Sequence, residues 1–143
     1  MTRFATLIFV TALAMSATAQ TSRAQDDRAA IREIVNDYIQ AYFTGDSVRM
    51  ERTLHPAYLK HSIASTGSSI RMREWTGLEM VEDIRSAGAP QLSAAEHHTG
   101  ITVLDLQGDT AAAKLVTAHW TDYMMLAKWH GQWKIISVLQ RFD

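Results

Sequence analysis

The sequence predicts an α+β domain in which helices cover one side of a curved antiparallel sheet. Three observations predict it. Helical spacing is concentrated in the first part of the chain, between Asp27 and Arg85. Strand-like segments follow one another from His97 to the end. The last of them, Asp122–Asp143, reads as a hairpin with two mostly apolar faces, so it belongs in the middle of a sheet.

In chain order, residues 1–19 read as a signal peptide. Arg3 supplies a positive start, Leu7–Ala14 an apolar stretch too short to span a membrane, and Ala17-Thr18-Ala19 a small-x-small cleavage site before Gln20. Residues 20–26 read as a polar, disordered linker, and 27–143 as one domain. The first helix of the domain is capped by Asp26 or Asp27 and runs to about Phe43. Ile31, Ile34, Val35, Tyr38 and Tyr42 form its apolar stripe, and Gly45 ends it. Asp46 or Ser47 caps a short helix over Val48–Leu54, which stops before Pro56. Tyr58–Ile63 is a strand, with Leu59, His61 and Ile63 on the face expected to look inward and Tyr58, Lys60 and Ser62 on the other. Ser65–Ser69 is a turn. Ile70–Trp75 is either a short extended segment or the lead-in to a third helix over Thr76–Arg85, with Leu78, Val81 and Ile84 as its stripe. Gln91–Glu96 is a loop, and His97–Leu106 and Thr110–His119 are strands joined at Gln107-Gly108-Asp109.

A two-residue loop at His130-Gly131 fixes the final hairpin. It sets Trp129 opposite Gln132, Lys128 opposite Trp133, Leu126 opposite Ile135 and Met124 opposite Ser137. One face then carries Asp122, Met124, Leu126, Lys128, Trp133, Ile135, Ser137 and Leu139. Something must pack on each side.

Composition narrows the function. The chain has 143 residues, seven Gly, two Pro and no Cys, enough for one domain with a real core. Loss of residues 1–19 removes one of 14 basic residues and none of 15 acidic ones, leaving a formal net charge of −2. That balance offers no electrostatic footprint for nucleic acid and no basic patch for anionic lipid. The expected location is periplasmic or secreted, with no membrane association after cleavage.

Tyr38-Ile39-Gln40-Ala41-Tyr42 with Gly45-Asp46, then Leu54-His55-Pro56, then Asp122-Tyr123 through Gly131-Gln132-Trp133-Lys134-Ile135-Ile136 carry a resemblance to the NTF2-like superfamily. Within it the chain looks most like the bacterial proteins called putative lumazine-binding or SnoaL-like. The likeness spans roughly Asp27 to Phe142. It implies a cone with three N-terminal helices packed on a strongly curved antiparallel sheet, and a pocket at the open mouth walled by the concave sheet face and the first and third helices. In the ketosteroid isomerase branch a helix tyrosine donates to the developing oxyanion and an aspartate abstracts the proton. Tyr38, seven residues before Gly45, resembles that tyrosine in position. The expected strand position of the aspartate holds no Asp; His61 and Ser62 lie near it.

His61 is therefore the candidate base, a neutral imidazole able to accept a substrate proton, or else a core histidine bonded to a backbone carbonyl or to Tyr38. Tyr38 and Tyr42 share a helix face, as hydrogen-bond donors to a ligand or as core residues each with one partner. His97 and His98 point to opposite faces of a strand, so they cannot share a metal; one would line the cone. Neither HxH nor HExxH spacing occurs and Cys is absent, so no metal site is expected. His119 near Asp122 is a dyad or a solvated turn pair. Trp75, Trp120 and Trp129 would wall a pocket, make a dimer contact or close the core. Lys128 stacks on Trp133 as a cation–π pair, and Lys114 is an outward charge at the sheet edge. No Gly-x-Ser-x-Gly elbow and no Gly-rich phosphate loop occur.

The leading expectation is an exported, cofactor-free domain that binds a small, partly apolar, cyclic or aromatic molecule. Tyr38, Tyr42, His61, Trp75, His97, His119 and Asp122 would line its site. A second is a cofactor-free isomerase, dehydratase or cyclase with His61 as general base and Tyr38 as hydrogen-bond donor. A third is an interaction module with a filled cone. A homodimer through the sheet is expected in any case.

Overall fold

A computed structural model describes residues 5–142. Helix α1 spans Ala5–Thr44 and α2 Ser47–Thr53; strands β1 (Leu54–Thr66) and β2 (Ser69–Thr76) follow, then α3 (Gly77–Ala87). A 3₁₀ turn at Ala94–His97 leads into β3 (Gly100–Gln107), β4 (Thr110–Val116), β5 (Trp120–Trp129) and β6 (Gln132–Phe142). The six strands form one sheet in the order β2-β1-β6-β5-β4-β3. All neighbours are antiparallel except β1 and β6, which run parallel. The fold is α+β as expected, but the three helices are not all N-terminal to the sheet, since the β1–β2 hairpin separates α2 from α3.

The start of the segment read as a signal peptide, residues 1–4, lies outside the described residues. The expected linker is helical: α1 runs through residues 20–26, a stretch with neither Gly nor Pro to stop a helix. Asp27 caps nothing. It accepts hydrogen bonds from Trp133 Nε1 at 3.0 Å and Lys128 Nζ at 2.6 Å, fastening α1 to the tip of the last hairpin. Lys128 lies over the Trp133 ring at 5.3 Å, as anticipated.

Ile31, Val35, Tyr38 and Ile39 of α1 are buried against the concave side of the sheet, where they meet Leu115, Met124, Leu126, Ile135 and Val138. At ~25 cal/mol per Å2 this apolar burial is the main driving force for packing helix on sheet. Gly45 makes the sharp turn into α2: its φ is 70°, and a Cβ there would stand 2.5 Å from the backbone nitrogen of Ala89. Asp46, the expected cap of α2, accepts from Arg49 N at 2.9 Å. Thr76 caps α3 rather than belonging to it, in a reciprocal box with Glu79. Val81 and Ile84 bury the inner face of α3, but Leu78 stays exposed in the first turn.

The hairpin tip pairs as read: Trp129 with Gln132, Lys128 with Trp133, Leu126 with Ile135. His130 and Gly131 both take positive φ, 49° and 78°, as a two-residue loop matched to strand twist requires. Beyond Leu126 the register shifts. Met125 pairs with Ser137 and Met124 with Val138, so Ile136 is the extra residue of a β-bulge. Past the bulge, Val138, Gln140 and Phe142 face the concave side, and Ser137 and Leu139 leave it.

Among the described residues nothing covers the convex face. Tyr123, Met125, Leu139 and Trp129 are about half exposed, so helices pack on one side of the central hairpin only. Lys114 is on that face, but β4 is an inner strand and not a sheet edge.

Candidate functional site

Between the concave sheet face, α1 and α3 lies a cavity of about 490 Å3, opening beside β2 and α3. Its walls are mostly apolar, from Ile39 and Met50 on the helix side to Met80 and Ile84 of α3 and Trp120 of β5. A volume of this size holds a small organic molecule.

Polar side chains converge at its depth. Tyr38 comes from α1, Lys60 and Ser62 from β1, Asp122 from β5 and Gln140 from β6, and all five are buried. Lys60 Nζ donates to Tyr38 Oη at 3.3 Å. The Tyr38 and Tyr58 hydroxyls are 3.4 Å apart. Because Tyr38 accepts from the ammonium, its own proton is available for Tyr58 or for a bound acceptor. Asp122 Oδ2 accepts from Trp120 Nε1 at 3.3 Å, and its Oδ1 has no partner among the described residues.

Burial dominates the electrostatics. It pushes the Asp122 carboxyl above its ordinary 3.8, against the pull of Lys60, Trp120 and Gln140. It pushes the Lys60 ammonium below its ordinary 10.5, against the support of Asp122. It raises the Tyr38 hydroxyl well above 10.0, which keeps that group a protonated donor at neutral pH. Lys60 and Asp122 sit on strands either side of β6. They feel each other's charge without forming an ion pair. At its depth the site therefore holds the Tyr38 hydroxyl as a donor, with Lys60 and Asp122 each biased toward neutrality.

The expected site residues divide. Tyr38, Tyr42, Trp75 and Asp122 line this cavity. His61 does not: it faces the convex side, where its Nε2 lies 2.9 Å from Glu74 Oε2, and the pairing of Ser62 with Gln140 turns Lys60 and Ser62 inward instead. The inward assignment of Leu59 and Ile63 fails because the concave surface at this end is a polar pocket wall, while the apolar residues face out. His97 is in the 3₁₀ turn and not in a strand, stacked on Phe43 with ring centres 4.7 Å apart. His119 pairs with Glu96 at 2.7 Å and not with Asp122, because β4 ends at Val116 and the turn carries His119 outward. Trp120 walls the cavity, and Trp129 lies outside it against His55.

Lys60, Arg71, Arg73 and Gln140 were not among the expected site residues, and Ser62 was noted near the expected base position but placed on the outward face. Lys60 had a signal: a lysine on the same strand face as Tyr58 and Ser62, one step from His61. Gln140 had none, since the bulge that turns it inward leaves no mark on the alternation.

A family model described as putative lumazine-binding matches residues 26–139. Among curated proteins no match was found. Several solved structures share the fold. An NTF2-like protein of unknown function from Silicibacter pomeroyi is 18% identical with a TM-score of 0.68, over 84% of this chain and 98% of that one. One from Shewanella baltica is 17% identical with a TM-score of 0.66, over 82% and 94%. A ketosteroid isomerase-like protein from Erwinia carotovora atroseptica is 14% identical with a TM-score of 0.53, over 81% and 95%. With four-fifths of its length matched, the chain belongs to the putative lumazine-binding family, and its fold is the one those NTF2-like structures share.

Proposed function

We propose that the chain is an exported binding domain that holds one small, partly apolar, cyclic or aromatic molecule in its cone. The observation that carries this reading is the cavity of about 490 Å3 with polar groups gathered at its depth and apolar walls above them. A ligand oxygen could accept from the Tyr38 hydroxyl and from Lys60 Nζ, and a ligand donor would satisfy Asp122 Oδ1. Export rests on the leader-like residues 1–19. The exposed apolar convex face supports pairing with a second copy.

A second reading is favoured by one observation: Lys60 and Asp122 flank the cavity with their charges disfavoured by burial, the condition under which either can move a proton near neutral pH. An isomerase or dehydratase would then use Asp122 or Lys60, with Tyr38 as donor, in place of His61.

Native mass spectrometry of the protein purified from its own host tests the binding reading. The expected result is a reproducible small-molecule adduct that disappears in Ser62→Phe, whose ring would fill the floor of the cavity. An apo spectrum, with no uptake of small aromatic molecules by the purified protein, would leave the cone as a structural feature and favour an interaction module.

A further inference from the structure

The cavity has an unbalanced wall. Across the β1–β2 pair, Lys60 stands opposite Trp75, Ser62 opposite Arg73 and Ala64 opposite Arg71. On one face of the hairpin the cations thus climb in two-residue steps, from buried Lys60 to exposed Arg73 and Arg71 at the lip. Their cross-strand neighbours Ser62 and Ala64 are small, which leaves both guanidinium groups open on the cavity side. Neither arginine is ion-paired; the arginine ion pairs among the described residues are Arg49–Asp37 and Arg85–Glu82. Arg73 rests over the Trp75 ring at 4.5 Å, a contact that holds its guanidinium at the mouth. Among the described residues two carboxylates, Asp83 on α3 and Asp122, line the same cavity, so positive charge is in excess by one among them.

Resting on the cavity reading above, we propose that the bound molecule is an amphipathic monoanion. It is a carboxylate on a cyclic or aromatic body, with its acid group against Arg71 and Arg73 and its body between Trp75, Trp120 and Ile84. Guanidinium groups match a carboxylate in shape and donor geometry. A single negative charge fits better than two, because a dianion would also face Asp83 and Asp122.

The test uses the full chain and the neutral fluorophore N-phenyl-1-naphthylamine, displaced in parallel by 2-naphthoate and by its neutral isostere 2-naphthamide. Expected is fluorophore binding, with naphthoate displacing about 10-fold more tightly than naphthamide at low salt and that advantage shrinking as salt rises. In Arg71→Gln/Arg73→Gln, with folding checked separately by circular dichroism, the advantage should vanish. Equal affinity of acid and amide, or a preference that survives the double substitution, would overturn the anion assignment and leave the cavity reading intact. A protein that takes up none of the three molecules would remove both.

Discussion

Asp122 has no accessible surface, so its carboxyl is held above its ordinary 3.8. Below that pH both states hold the proton and the advantage of a neutral buried group is complete; just above it the unfolded chain releases its proton first and that advantage begins to shrink. As pH rises through the folded value the advantage is lost, and at pH 7 the buried charge destabilises the fold. Asp122→Asn keeps an acceptor for Trp120 Nε1 and removes the charge. The variant should be more stable than the wild type at neutral pH, by on the order of 1 kcal/mol, with the gap closing as pH falls toward 3.8. Urea unfolding at several pH values measures this; a gap that widens in acid would mean that the carboxylate is stabilised where it lies. Tyr38→Phe removes the acceptor of Lys60 and the neighbour of the Tyr58 hydroxyl. It should cost about 1–2 kcal/mol by leaving buried polar groups unmatched, and weaken uptake of any ligand that accepts from Tyr38, read by unfolding and titration on the same preparation.

Two elements decide which residues reach the cavity. The first is the hairpin tip, where Asp27, Lys128 and Trp133 tie α1 to β5 and β6, with the Asp27 and Lys128 side chains 16% and 17% exposed. Lys128 chiefly, with Trp133, holds the Asp27 carboxyl below its ordinary 3.8, so this contribution is present above that value and fades as pH falls through the folded one. A double-mutant cycle over Asp27→Asn and Lys128→Met should show a coupling of about 1 kcal/mol at neutral pH; additive effects would reduce the latch to a contact without energy. The second is the bulge at Ile136. The tip was legible in the sequence because His130-Gly131 sets the loop and the loop sets the register, as far as Leu126 and Ile135. Past that point alternation misplaces every residue of β6, since one inserted residue reverses the faces and nothing local announces it. The same kind of inversion hid Lys60 behind His61: hydrophobic periodicity points to the covered side of a strand, and here the side with Leu59 and Ile63 is the one the helices do not cover. Tyr38, Tyr42 and Trp75 were legible because their neighbours place them on the right face of an ordinary helix or beside its start.

On the whole molecule, the convex sheet face presents apolar side chains to solvent. Tyr123, Met125 and Leu139 on the central strands, with Leu104 and Met72 toward the two edges, are each about half to two-thirds exposed. They line one broad surface, since β5 and β6 are neighbours in mid-sheet and the alternation sends these residues the same way. A contiguous exposed apolar surface of this kind marks a protein–protein contact. A second copy presenting the same surface would cover it by an isologous, sheet-to-sheet contact with closed two-fold symmetry. Such a contact would leave both cavity mouths free, because they open on the opposite side, between β2 and α3. Light scattering coupled to size exclusion should therefore give about twice the chain mass for the wild type. Met125→Glu, which would set a charge and its symmetry mate in the middle of the contact, should give the chain mass alone while N-phenyl-1-naphthylamine affinity stays within about twofold. A wild-type monomer at tens of micromolar would show that the face is left for a different partner. A Met125→Glu protein that lost the fluorophore along with its partner would show instead that pairing is what keeps the sheet curved around the cavity.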